Sequence, residues 1–102
     1  MIKILFICHG NICRSPMAEF ILKDMVSTRG IADQFDIASA ATSREELGNP
    51  VYPPAVQELA RHGISAAGKT ARQLRREDYD QYDHLLAMGA YNLPNAMRIL
   101  KS

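Results

Sequence analysis

The sequence of 102 residues has no tryptophan, only two cysteines and no long apolar run. Each shortage excludes something. Two thiols at positions 8 and 13 cannot staple a small secreted fold, so a reducing, cytoplasmic setting is expected. No stretch approaches the ~18 consecutive apolar residues of a membrane span. The N-terminus, Met1 to Cys8, has one lysine and a short apolar run, unlike a secretory signal. Charge of one sign is scarce as well. Twelve basic against eleven acidic residues leave a net charge of +1, so no global field draws the chain to nucleic acid or anionic lipid. Repeats and low-complexity tracts are missing. What is there is the mixture of a folded domain: 47% hydrophobic and 23% charged residues, which excludes wholesale disorder. The length suits one domain.

Ile2 to Cys8 is an almost continuous apolar, β-branched run, the pattern of a strand buried on both faces. A polar loop follows, and then Ser15-Pro16. This pair predicts a helix start, with Ser15 as N-cap, Pro16 at the first helical position and Glu19 in the first turn. Met17, Phe20, Ile21, Met25 and Val26 continue at helical spacing to about Thr28, and Gly30 ends the helix. The methionines are expected in the core. Phe35 to Ala40 reads as a second strand. Thr42 to Pro54, with Gly48, Asn49 and prolines, reads as loop. A helix opens at Pro53-Pro54 and closes at Gly63. Leu74 to Tyr82 reads as a short helix, His84 to Met88 as a third strand and Tyr91 to Leu100 as a last helix. The alternation implies an α/β fold: a three-layer, doubly wound parallel sheet with right-handed crossovers. Ligands bind such sheets at the carboxyl end of strands, where strand order reverses, and the loop after the first strand is the candidate.

That loop reads Cys8-His9-Gly10-Asn11-Ile12-Cys13-Arg14-Ser15, a Cys-x5-Arg-Ser pattern between a strand and a helix. By chance the pattern arises at below ~1% for two cysteines at ordinary residue frequencies. Backbone N–H groups curling at a helix N-terminus favour an anion. Gly10 permits a tight turn or a positive φ. Arg14 can fold its fork onto two phosphate oxygens. Cys8 lies beneath the same point, where amides, helix dipole and Arg14 all stabilise its thiolate. Ser15 can donate to the Cys8 sulfur. A nucleophile under a cradle for a tetrahedral anion suits phosphoryl transfer through a phosphocysteine.

The stretch Ile7-Cys8-His9-Gly10-Asn11-Ile12-Cys13-Arg14-Ser15-Pro16-Met17-Ala18-Glu19 resembles the signature of the low-molecular-weight protein tyrosine phosphatases. The likeness continues through Ser39-Ala40-Ala41-Thr42-Ser43, Gly48-Asn49-Pro50, Arg61-His62-Gly63-Ile64, Ala71-Arg72-Gln73-Leu74 and Leu86-Ala87-Met88, in family order. It implies a phosphoric monoester hydrolase acting on a phosphotyrosine-containing protein or a small aryl phosphate, and binding phosphate or other oxyanions. It makes Cys8 the nucleophile, with Arg14 and the loop from His9 to Cys13 binding phosphate. Ser15 would favour the Cys8 thiolate, Asn11 and Ser39 would brace the loop, and Cys13 would be a reversible disulfide partner of Cys8. The substrate wall, aromatic in many members, aligns with Glu45, and Tyr52 is nearby. Arsenate reductases and protein arginine phosphatases are related, but the former need further cysteines and the latter typically have Thr where Ile12 stands. A phosphate-binding pseudophosphatase is the reading from another class; an intact Cys8 favours an enzyme.

The resemblance has gaps. Members supply the leaving-group proton from an Asp-Pro pair near the C-terminus, and these 102 residues contain none. No general acid is therefore assigned, and impaired turnover is expected. The family's outer strand and last helix fall beyond Ser102, so the chain reads as the N-terminal two-thirds of the fold. An uncovered parallel edge then predicts a homodimer or swapped oligomer. Gly89 stands where the family usually has Asp. Asp24, Asp33, Asp36, Asp78, Asp80 and Asp83 read as solvated charges, and Lys69, Arg72, Arg75 and Arg76 as a solvated basic face. Cys8, His9, Cys13, His62 and His84 fall on different elements, so no metal or other cofactor is expected.

Overall fold

The computed structural model describes residues 1–89 and 92–100. Strand β1 (Ile2–Cys8) leads through the polar loop into helix α1 (Arg14–Thr28), a single 3-10 turn (Ala32–Gln34) and strand β2 (Phe35–Ala41). Helices α2 (Pro53–Arg61) and α3 (Asp78–Gln81), strand β3 (His84–Ala87) and helix α4 (Asn92–Leu100) follow. The sheet order is β2-β1-β3 and both pairings are parallel. Ile2 pairs with Phe35 and Cys8 with Ala41 on one side, and Ile4 with His84 and Ile7 with Ala87 on the other. The apolar, β-branched run of β1 is thus the central strand. The chain leaves β1 to build β2 on one side and later returns to build β3 on the other. The carboxyl end of β1 is therefore the point where strand order reverses, as the pattern predicts.

One core cluster joins Leu5 and Ile7 of β1 to Ala40, Leu74, Ala96 and Leu100, with α4 presenting residues four apart. A second joins Ala55 and Leu59 of α2 to Val51 and Ala66, with Met17 and Phe20 of α1 packed against it. Helix α1 ends in a Schellman motif. Gly30 takes a φ of +73°, its N–H donates to the Ser27 carbonyl, and the Ile31 N–H donates to that of Val26.

Several local expectations need correction. The N-cap of α1 is Cys13, which makes no side-chain cap, and Ser15 lies inside the helix. The Ser15 hydroxyl is occupied at the sheet end instead (below), which is why it cannot cap. Glu19 lies beyond the first turn, which has no acidic residue, and is buried. The helix expected over 74–82 is only Asp78–Gln81, because Leu74 is a buried core residue whose backbone N–H donates to the Ala41 carbonyl. Of the methionines, Met1, Met25 and Met97 are exposed. Strand β2 runs one residue longer than expected and β3 one shorter. The expected start of the last helix at Tyr91 lies outside the described residues.

Candidate active site

Cys8 is the last residue of β1, 4% exposed, and Arg14 is the first of α1. The five residues between them turn the chain around the Cys8 sulfur. The Asn11 backbone N–H donates to Cys8 Sγ at 3.2 Å, and Ser15 Oγ lies 2.9 Å from the same sulfur. Of the tight turn or positive φ that Gly10 permits, the positive φ falls instead on Asn11, at +59°. Asparagine tolerates this left-handed conformation better than most residues, and here its side chain is fully engaged. Asn11 Nδ2 donates to Ser15 Oγ and to Ser39 Oγ, both at 2.8 Å. Asn11 Oδ1 accepts the Arg72 backbone N–H at 3.1 Å.

The Asn11 amide sets the direction of the bonds it makes to the two serines. An amide nitrogen can only donate, so Ser15 Oγ and Ser39 Oγ both accept from Asn11. Ser39 gives its own proton to Glu19 Oε1 at 2.5 Å. Ser15 Oγ shares a second bond with the Cys8 sulfur at 2.9 Å, in which either partner can donate. The Asn11 N–H and the Ser15 hydroxyl thus meet one sulfur beside the start of α1.

Around this centre, the structure disposes the other predicted residues unevenly. The guanidinium of Arg14 lies beside Gly89: a Cβ built at Gly89, where φ is +126°, would come within 3.2 Å of Arg14 Nη1. His9 is exposed and its Nε2 meets Glu45 Oε2 at 3.0 Å, so these two share the outer rim of the loop. Glu46 packs against Gly10 from the same side. The Tyr52 backbone N–H donates to the Ile12 carbonyl at 2.7 Å, and its half-exposed side chain stands at the start of α2. Cys13 is free, as is Cys8, and packs against the α2 cluster.

Two readings from the sequence are overturned here. Asp78 is 1% exposed, not solvated, and accepts both arms of the Arg72 fork at 3.1 Å. It also accepts the Arg75 backbone N–H at 2.7 Å. Burial works to lower the Arg72 pKa, but the Asp78 hydrogen bonds and charge outweigh it and raise the value, so the guanidinium stays charged. Lys69 is likewise no surface cation. Its Nζ donates to the Ser39 carbonyl at 3.0 Å and lies 3.4 Å from Glu19 Oε1. Glu19, Lys69, Arg72 and Asp78 are the supporting residues that pattern reading missed. The spacing of Glu19 and Lys23 hinted at an ion pair but could not show that the carboxylate is buried. Among the described residues no group of three or more His, Cys, Asp or Glu side chains is placed to hold a metal ion. No helix among them is long and apolar enough to cross a membrane.

A buried thiol met by a hydroxyl and an amide at the end of a central parallel strand is the candidate site of this fold. The matching family model is that of the low molecular weight phosphotyrosine protein phosphatases, over residues 3–101, and the chain belongs to this family. It is 42% identical over 93 residues to the low molecular weight protein-tyrosine-phosphatase YfkJ of Bacillus subtilis, covering 91% of this chain and 60% of that protein. The crystal structure of YfkJ superposes with a TM-score of 0.95, over 99% of this chain and 64% of that one, at 39% identity. The structure of a Drosophila arginine phosphatase superposes at 0.89 with 33% identity, over 95% of this chain and 60% of that one. Wzb of Vibrio vulnificus, in complex with benzylphosphonate, superposes at 0.87 with 27% identity, over 98% and 66%. The chain thus spans somewhat under two-thirds of the length of YfkJ.

Proposed function

We propose that the chain hydrolyses phosphotyrosine and small aryl phosphates through a phosphocysteine on Cys8. The observation that carries this reading is the sulfur itself, approached by Ser15 Oγ at 2.9 Å and the Asn11 N–H at 3.2 Å beneath the first turn of α1. The Cys8 thiolate attacks phosphorus, an S–P bond forms, and the P–O bond to the aryl group breaks. Loop amides from His9 to Cys13 and the Arg14 guanidinium hold the equatorial oxygens, which carry the developing charge. Water then attacks phosphorus, the S–P bond breaks, and Ser15 donates its hydrogen bond to the departing thiolate. Asn11 and Ser39 keep the loop in shape for both steps. Benzylphosphonate bound to the Vibrio relative is an aryl-bearing phosphate mimic and supports the substrate class.

Ile12 favours phosphotyrosine over phosphoarginine, because its side chain brings no hydroxyl to the loop for a guanidinium nitrogen. The His9–Glu45 rim and the Tyr52 ring form the substrate wall in this reading, with a carboxylate on one side and an aromatic face on the other. Cys13 is the redox partner: peroxide takes two electrons from the two thiols and joins them as a disulfide, blocking turnover. The outer edge of β3, unpaired among the described residues and next to a groove lined by Ile7, Leu85, Leu93 and Met97, supports self-association, and the free thiols fit a cytoplasmic setting. Concentration-dependent light scattering checks the former.

Acid quench during turnover of an aryl phosphate, followed by peptide mass spectrometry, tests the central claim. The expected result is a phosphorylated Cys8 peptide that decays to free thiol, and none in Cys8→Ser. Oxyanion binding without a phosphoenzyme would instead make the chain a phosphate-binding module. A higher kcat/KM on phosphoarginine than on phosphotyrosine would reassign the substrate.

A further inference from the structure

His9 follows Cys8 directly in the chain, and its Nε2 meets Glu45 Oε2 at 3.0 Å. The contact lies on the solvent side of the loop, where the Glu45 side chain is 71% exposed. Backbone bonds bring the two together. The Ser43 N–H donates to the His9 carbonyl at 3.0 Å, and the Glu45 N–H donates to Ser43 Oγ at 3.4 Å. The neighbouring Glu46 is engaged differently: its side chain packs on Gly10, and its Oε2 accepts from Asn49 Nδ2 at 2.6 Å. Glu45 thus has one oxygen held by His9, while Oε1 has no partner among the described residues.

We propose that Glu45 is a specificity-determining residue that selects phosphotyrosine flanked by lysine or arginine. The inference rests on the phosphatase reading and deepens it. A phosphotyrosine whose phosphate sits over Cys8 leaves its own backbone at the rim, so the side chains on either side of it pass Glu45. A carboxylate accepts and does not donate. Its free oxygen attracts an ammonium or one arm of a guanidinium and repels a second carboxylate. An aromatic side chain at this place would grip the ring of the substrate. Glu45 cannot, so discrimination moves from the ring to the residues beside it. His9 is the positioning residue that holds the carboxylate over the mouth. The neighbouring charges in the chain are Arg44 and Glu46, which offset one another. An exposed ion pair is worth only a few-fold in affinity, and like charges lose a similar amount. The contrast between a basic and an acidic flank is therefore modest and sensitive to salt.

Three phosphotyrosine peptides, alike except for Arg, Ala or Glu on both sides of the phosphotyrosine, test this by phosphate release. They share one leaving group, so its protonation cancels between them. The native chain is expected to rank them Arg over Ala over Glu in kcat/KM. The spread from Arg to Glu should be about tenfold at low ionic strength, carried by KM rather than kcat, and should shrink as salt is added. Glu45→Gln reduces the spread to about twofold, and Glu45→Lys reverses the order. Glu58→Gln makes the same change of net charge on α2, where Glu58 pairs with Arg61 and His62, and leaves the spread as it is. Calorimetric titration of the same peptides into Cys8→Ser reads the ranking without turnover. Turnover with equal kcat/KM for the three peptides, or with a spread that Glu45→Gln leaves unchanged, would overturn the proposal and spare the phosphatase reading. Ranked binding with no phosphoenzyme would overturn the phosphatase reading and spare this one. No binding of any peptide would overturn both.

Discussion

Arg72 grips both carboxylate oxygens of Asp78, each at 3.1 Å, while its own backbone N–H donates to Asn11 Oδ1 at 3.1 Å. One residue thus ties the start of α3 to the loop that surrounds the Cys8 sulfur. The fork fixes the backbone of the 72–73 segment, and that backbone fixes the asparagine in its left-handed conformation. Charge pairing on one side of the molecule therefore becomes geometry around the Cys8 sulfur.

Asp78→Asn is expected to destabilise the fold by about 3 kcal/mol, since it leaves a half-buried guanidinium without its counter-charge. The midpoint of urea unfolding reads this directly. Vanadate affinity should fall as well, because the Asn11 brace loosens. A variant as stable as the native chain, with unchanged vanadate affinity, would show that the fork carries no strain to the loop.

This strut also marks the limit of what the sequence revealed. The strand Ile2–Cys8, its central place and the strand-to-helix loop at its carboxyl end were all legible, because an apolar β-branched run and a Cys-x5-Arg-Ser loop are local patterns. Asp78 and Lys69 were not. Nothing within a few residues of either distinguishes a solvated charge from a buried one; the partners that bury them, Arg72 and Glu19, come together only through packing. Ser15 shows the converse error. Ser-Pro is a sound helix-start signal, but the same hydroxyl can face a sulfur seven residues back, and the tertiary contact won.

Gly89→Ala should weaken both fold and site. A side chain at a φ of +126° is strained, and its Cβ would press the Arg14 guanidinium at 3.2 Å and Asn92 Nδ2 at 3.5 Å. A loss of about 1–3 kcal/mol is expected from the backbone alone. Displacing Arg14 should lower phosphate affinity several-fold, measured by calorimetry. Reduced stability with native phosphate affinity would mean that Arg14 is placed by α1 without help from Gly89.

Assayed as these 102 residues, the chain should discriminate sharply by leaving group. Expelling tyrosine phenolate, whose conjugate acid has a pKa of ~10, calls for a proton donor that contributes 10²–10⁴-fold. No Asp-Pro pair lies in this sequence. Turnover of a nitrophenyl-type phosphate should exceed that of phosphotyrosine by roughly that factor in kcat. Equal kcat values on both substrates would reveal a donor among the residues described.

Lys69 gives the fold a pH dependence of defined sign. Burial is the largest influence on it and lowers its pKa below the ordinary 10.5; the nearby Glu19 opposes that shift without cancelling it. Well below the lowered value, the ammonium is protonated in both folded and unfolded chains, and the burial penalty is constant. Between the lowered value and 10.5 the unfolded chain holds a proton that the folded one has released, so this group's contribution to stability rises with pH. Lys69→Arg keeps its charge across the whole range and has no such rise. The difference in unfolding free energy, native minus Lys69→Arg, should therefore increase as pH climbs towards 10.5, while other titrations cancel between the two proteins. Urea midpoints at a series of alkaline pH values measure it. A flat difference would place the lysine ammonium in water rather than against Glu19 and the Ser39 carbonyl.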